Sequence, residues 1–134
     1  MEIYHSVQIL CSGMVAGFIL FQSAIVAPTV FTVVSEDNRG PLLRRVFPKL
    51  FKSVAAMGLF ILLLSFVRQP DSWSSYAVGG FTLVSSMLCD GLIPATNQAR
   101  DSGEDKRFAQ LHRLSVLLTL SVLFVNLLWI FIDA

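Results

Sequence analysis

Charge is distributed along this chain in a way that leaves few folds open to it. Of its ten basic residues, Arg39, Arg44, Arg45, Lys49 and Lys52 fall in one stretch and Arg100, Lys106, Arg107 and Arg113 in a second; only Arg68 lies elsewhere. The two stretches separate hydrophobic runs, each long enough to cross a bilayer. Two spans lie between them, so both clusters emerge on one side of the membrane. The positive-inside rule makes that side cytoplasmic, and both termini are then expected on the outer side. Of the 134 residues, 54% are hydrophobic and only 14% charged, against about a quarter charged in a soluble domain. With a net charge of +1, the basic residues read as topology determinants rather than a phosphate-binding patch, and no nucleic-acid partner is expected.

The predicted fold class is all-α: an integral membrane four-helix bundle forming one domain over residues 1–134. Its spans are expected at about Ile3 to Val34, Pro48 to Val67, Ser75 to Ala95 and Phe108 to Ile132. The first run has no basic n-region and is too long for a signal-peptide core, so it is expected to stay in the protein. It exceeds the roughly twenty residues that a bilayer requires. Pro28 is placed to kink it, with Thr29 available to satisfy freed backbone groups. Gly13 and Gly17 form a GxxxG pair, expected to serve an internal helix contact rather than a dimer seam.

Ser35 to Pro41 reads as a turn by composition. Leu42 to Phe51 reads as a short interfacial helix laying Leu43, Val46 and Phe47 against lipid, with Pro48 in the first turn of the second span. Arg68 to Ser74 is a short loop. Thr96 to Arg107 is the second inner loop, with Pro94 near the end of the third span. Trp73, Tyr76 and Trp129 are placed as outer-interface anchors. Cys11 and Cys89 should differ in depth by over ~10 Å at helical rise, too far for a bridge, and read as apolar fillers.

Within the membrane, Gln22, Lys52 and Asp90 are expected at similar depth, roughly 6 Å to the cytoplasmic side of the midplane, with His112 a further turn inward. Polar stripes follow helical spacing: Gln8, Ser12 and Gln22 in the first span; Thr82, Ser86, Asp90 and Asn97 in the third; His112, Ser115, Thr119 and Asn126 in the fourth. They should face one another across the bundle. Gln22, Lys52, Asp90, Asn97 and His112 make up the candidate intramembrane polar cluster. Asp90 is its sharpest member, because a carboxylate at that depth costs several kcal/mol unless it is paired, protonated or turned inward. Lys52 can instead snorkel to the headgroups.

Two readings compete for these stripes: interhelical hydrogen bonding worth on the order of 1 kcal/mol per contact, or a proton, ion or ligand site built on Asp90. Haem is a separate test. His5 and His112 lie at opposite ends of their spans, so they cannot ligate one iron within one chain; only His112, alone or between subunits, is a candidate cofactor ligand. No catalytic motif and no metal-ligand spacing are present, and no cofactor is predicted.

Three segments carry a family resemblance: APTVF (Ala27 to Phe31) followed by Gly40 and VFPKLF (Val46 to Phe51); IPATNQARD (Ile93 to Asp101); and LHRLSVLLTL (Leu111 to Leu120). Together they resemble the transmembrane-protein-205-like family, also catalogued as domain of unknown function 4149. The matching positions are Pro28, Phe31, Gly40, Phe47, Pro48, Phe51, Pro94, Asn97, His112 and Ser115. The resemblance implies a four-helix membrane domain and no defined chemistry. The reading that follows is a small polytopic protein, not an enzyme, acting as a structural or accessory subunit in the plasma (inner) membrane. Its expected partners are the lipid bilayer and other membrane subunits or itself. The alternatives are proton- or ion-coupled transport using Asp90 and haem-based redox chemistry using His112.

Overall fold

A long apolar run can satisfy its backbone inside a bilayer only as a helix or within a closed barrel, and each of the four runs here is helical. The computed structural model describes residues 2–68 and 73–133. Helix α1 (Glu2–Phe21) continues through a π-turn (Gln22–Val26) into α2 (Ala27–Val33), and these three segments make one span. Helices α3 (Glu36–Arg68), α4 (Trp73–Asp101) and α5 (Asp105–Asp133) complete four helices long and apolar enough to cross a membrane. Helix α3 packs on α4 and α4 on α5, and α1 closes the ring against both α3 and α5.

Contacts at the two ends fix the arrangement. At one end Arg44 pairs with Asp101 through two hydrogen bonds, which joins the start of α3 to the end of α4. At the other, His5 Nε2 donates to the backbone carbonyl of Asp133 at 2.7 Å, and Ser74 Oγ donates to the Asp133 carboxylate at 3.2 Å. Both basic clusters therefore lie at one end, and the beginning of α1 and the end of α5 lie together at the other.

The π-turn follows from Pro28. Its ring removes the donor that would bond to the carbonyl of Ala24, and the helix widens so that Ala27 N–H reaches Gln22 O, five residues back. Thr29 Oγ1 donates to the Ile25 carbonyl at 2.7 Å, so the expected hydroxyl support is present beside the proline.

The helices run further than composition indicated. Ser35 to Pro41 is not a turn: Val34 is extended (ψ 133°), and Ser35 then caps α3. The Ser35 carbonyl accepts from Asn38 and Arg39 N–H at 3.0 and 3.1 Å, and its hydroxyl accepts from Asn38 Nδ2 at 2.8 Å. Glu36 and Asp37 in the first turn complement the helix dipole. The same polar letters that compose a turn are thus a helix start. Leu42 to Phe51 is correspondingly not a separate interfacial helix, and Pro48 lies inside α3, as does Pro41. Leu43, Val46 and Phe47 are half-buried, while Arg44, Arg45 and Lys49 are exposed.

Most of Thr96 to Arg107 is also helical. The loop shrinks to Ser102, Gly103 and Glu104, and Pro94 lies within α4. Gly103, at φ 70°, ends α4 in a Schellman turn: Glu104 N–H reaches Ala99 O at 2.9 Å and Gly103 N–H reaches Arg100 O at 3.2 Å. Of the expected loop Arg68 to Ser74, positions 69–72 lie outside the described residues.

The core has two layers. Toward the basic end Val15, Ala16, Ile19, Val54, Val122 and Leu123 interlock; toward the other, Cys11, Ile61, Val78 and Trp129. The tightest helix contact lies between α3 and α4. A Cβ built on Gly58 would sit 2.6 Å from Leu83 N, and one on Gly79 2.8 Å from Leu62 N. Gly13 and Gly17, expected to make an internal contact, have nothing within 4 Å. They point away from the bundle.

Candidate functional site

The buried polar side chains form a ladder up the bundle, and each rung joins different helices. Nearest the chain termini, Trp129 Nε1 donates to Asp133 Oδ2 at 2.6 Å, and the His5 ring meets the Trp129 ring edge-on at 6.2 Å between centroids. Trp129 is 3% exposed, so it is not the lipid anchor expected of it: its indole lies on the inward stripe of α5, where Asp133 one turn later accepts its proton. Tyr76 is likewise half-buried, donating from its hydroxyl to the Ser65 carbonyl at 2.8 Å and meeting Phe66 edge-on. Trp73, by contrast, is exposed.

On the next rung, Gln8 Nε2 donates to both the Ile61 carbonyl (3.1 Å) and Ser65 Oγ (3.0 Å), and the Ser65 hydroxyl donates to Ile61 O at 2.9 Å. This ties α1 to α3. The central rung ties three helices at one residue. Ser12 Oγ donates to Asn126 Oδ1, and Asn126 Nδ2 donates to Thr82 Oγ1 and to Val122 O, each at 2.8 Å. Ser12, Thr82 and Asn126 have no exposed surface. Ser12, Thr82 and Asn126 belong to the polar stripes seen in the sequence and face one another; Gln8, from the same α1 stripe, turns instead to α3, and its Oε1 has no hydrogen-bond partner among the described residues.

Below the central rung lies a crevice lined by Ile19, Phe51, Ser85, Ser86, Cys89 and Thr119, among others, with room for about one water molecule. Cys89 Sγ donates to the Ser115 carbonyl at 3.7 Å. Both cysteines are free and buried, as fillers should be.

The five residues of the intramembrane cluster divide. Gln22 is buried in the π-turn, and its Nε2 has no hydrogen-bond partner among the described residues. Asp90 and Asn97 are half-buried on α4. Lys52 and His112 lie on the outer surface, the His112 ring stacked on Phe108 at 5.7 Å. Among the described residues, no hydrogen bond or ion pair joins any two of the five. No group of three or more His, Cys, Asp or Glu side chains converges there as a metal site would require.

Below the rung of His5, Trp129 and the Asp133 carboxylate, the ladder is built of neutral amides and hydroxyls. At its inner rungs its chemistry is hydrogen bonding, with no carboxylate or cation inside it. Ser65 and Gly58, which set two of the closest contacts, were missed in the sequence. A serine one helical turn from Ile61 inside an otherwise apolar run was the available signal for the first. Nothing distinguishes the glycine from its neighbours without knowing which helix faces it.

No curated protein and no solved structure matches the chain. Residues 10–105 match the family model described as Domain of unknown function (DUF4149), and that stretch runs from the first span to the start of the fourth. This four-helix, membrane-spanning chain belongs to that family.

Proposed function

We propose that the protein is a non-catalytic structural or accessory subunit of a membrane assembly, with its basic end on the cytoplasmic side of the plasma (inner) membrane. The observation that carries this reading is the ladder. Gln8 bonds to Ile61 and Ser65 on α3, and Ser12, Asn126 and Thr82 bond to one another across α1, α5 and α4, which is how polar residues serve as glue in a bilayer. The narrower kinship with the transmembrane-protein-205-like family is part of the same proposal. Its support is the APTVF, VFPKLF and IPATNQARD segments, which carry the proline and family-like positions at the α2–α3 and α4–α5 end.

The rival with a specific observation behind it is proton- or ion-coupled transport through Asp90, because Cys89 beside it lines the crevice. A haem on His112 would sit on the outer surface of α5, held by that histidine alone or with a second ligand from another subunit.

Mild-detergent purification from the native host, followed by mass spectrometry and an absorption spectrum, tests the three together. The proposal expects a membrane-protein partner in fixed stoichiometry and no pigment. A Soret band lost in His112→Ala replaces it with the redox reading. A homogeneous, partner-free protein that conducts ions replaces it with the transport reading.

A further inference from the structure

Helix α3 carries an outward stripe whose members recur at alternating steps of four and three residues: Arg45, Lys49, Lys52, Ala56, Leu59, Leu63 and Phe66, all exposed. That spacing follows one side of the helix for six turns with a drift of about 60°, and every member stays exposed. The stripe changes character once. Its first three members are cations, and the rest are apolar.

Four other cations at this end are already engaged. Arg44 pairs with Asp101, and Arg107 with Glu104. Arg39 donates to the Val34 carbonyl at 2.9 Å, and Arg100 lies 4.8 Å from the Phe108 ring centroid. No ion pair holds Arg45, Lys49 or Lys52 among the described residues.

We propose that this face of α3 seats one anionic phospholipid, its phosphate held by Arg45, Lys49 and Lys52 and an acyl chain lying along Ala56, Leu59, Leu63 and Phe66. Charge complementarity selects the headgroup, and the apolar continuation selects a lipid over a soluble anion. The direction of the helix favours the fit. Side chains tilt toward the N-terminus of their helix, and the N-terminus of α3 is at the basic end. Lys52, the deepest of the three, therefore leans toward the headgroup layer. Its ammonium has to climb only the roughly 4.5 Å of helix rise that separates it from Lys49, within reach of a four-carbon stem. The seat does not depend on the accessory-subunit reading, because it requires only that α3 spans a bilayer.

Native mass spectrometry of the delipidated protein tests it, titrating phosphatidylglycerol against phosphatidylcholine of identical acyl chains. Wild type should hold the anionic lipid on the order of tenfold more tightly. The Arg45→Gln, Lys49→Gln, Lys52→Gln triple variant should lower that preference to about twofold or less. Lys106→Gln with Arg113→Gln, two cations off this face, should leave it unchanged, and so should the charge-retaining Lys49→Arg with Lys52→Arg. Should the triple variant fail to fold by circular dichroism, Lys49→Gln alone should still lower the preference several-fold. Equal binding of the two lipids by wild type overturns the proposal. So does a loss as large in the Lys106, Arg113 pair. Displacement of the lipid by millimolar inorganic phosphate would show a free-anion site and would likewise overturn it.

Discussion

Asn126 is the residue on which most of the interior converges. Its amide accepts from Ser12 on α1 and donates to Thr82 on α4 while also bonding its own helix at Val122. An apolar replacement leaves two hydroxyls behind, and each can fall back on a carbonyl of its own helix, so the cost should be moderate. Asn126→Ala should destabilise the bundle by about 1–3 kcal/mol in a reversible unfolding assay in bicelles, from two interhelical bonds of roughly 0.6–1.7 kcal/mol each. The cycle Ser12→Ala with Asn126→Ala should show coupling of at least about 0.5 kcal/mol; additivity within ~0.3 kcal/mol would mean that the bond contributes nothing. The stripes that contain Gln8, Ser12, Thr82 and Asn126 were visible as helical spacing. Which of their members turn inward was not: His112 shares a stripe with Asn126 yet is exposed, because over fourteen residues a 3.6-residue helix drifts about 40° from a strict seven-residue repeat. Trp129 misled for a different reason. Position near a span end does not say which way an aromatic faces, and Trp129 packs inward with Cys11, Ile61 and Val78 while Asp133 accepts its N–H.

At the scale of the helix, glycine placement decides where backbones approach. Gly58 and Gly79 face each other across α3 and α4 with no room for a Cβ, and the obstructing atoms are backbone nitrogens that cannot rotate aside. Gly58→Ala should therefore force the two helices apart and destabilise by about 1–3 kcal/mol, the usual range for overpacking. Gly13→Ala and Gly17→Ala, with open space before them, should be neutral or slightly stabilising in the same assay, since alanine is the better helix former. Equal effects at the two pairs would refute this account of the α3–α4 contact. The GxxxG pattern was legible and its partner was not, because a motif of small residues does not say which neighbour it faces. The prolines misled similarly. Pro41, Pro48 and Pro94 each remove one backbone donor, but Ser35 with Glu36 and Asp37 starts α3 ahead of the first two, and Gly103 stops α4 well beyond the third.

At the scale of the molecule, four spans and a clustered charge were readable from the sequence because bilayer thickness and the positive-inside bias act on long segments. The ion pair between Arg44 and Asp101 gathers both basic clusters at one end. Replacing Arg39, Arg44 and Arg45 with asparagine while adding lysines near Glu2 should weaken the proposed orientation, with the N-terminus outside. Cysteine-accessibility labelling unchanged by that reversal would mean that other features orient the chain. The neutral ladder, with Asp90 outside it and Lys52 and His112 on the surface, is the basis for reading this bundle as a scaffold rather than a conduit. Ion flux across proteoliposomes tests that claim most directly. The account predicts that wild type and Asp90→Asn both leave a pH gradient to decay at the rate of empty vesicles; a pH-dependent flux in wild type that disappears in Asp90→Asn would contradict it.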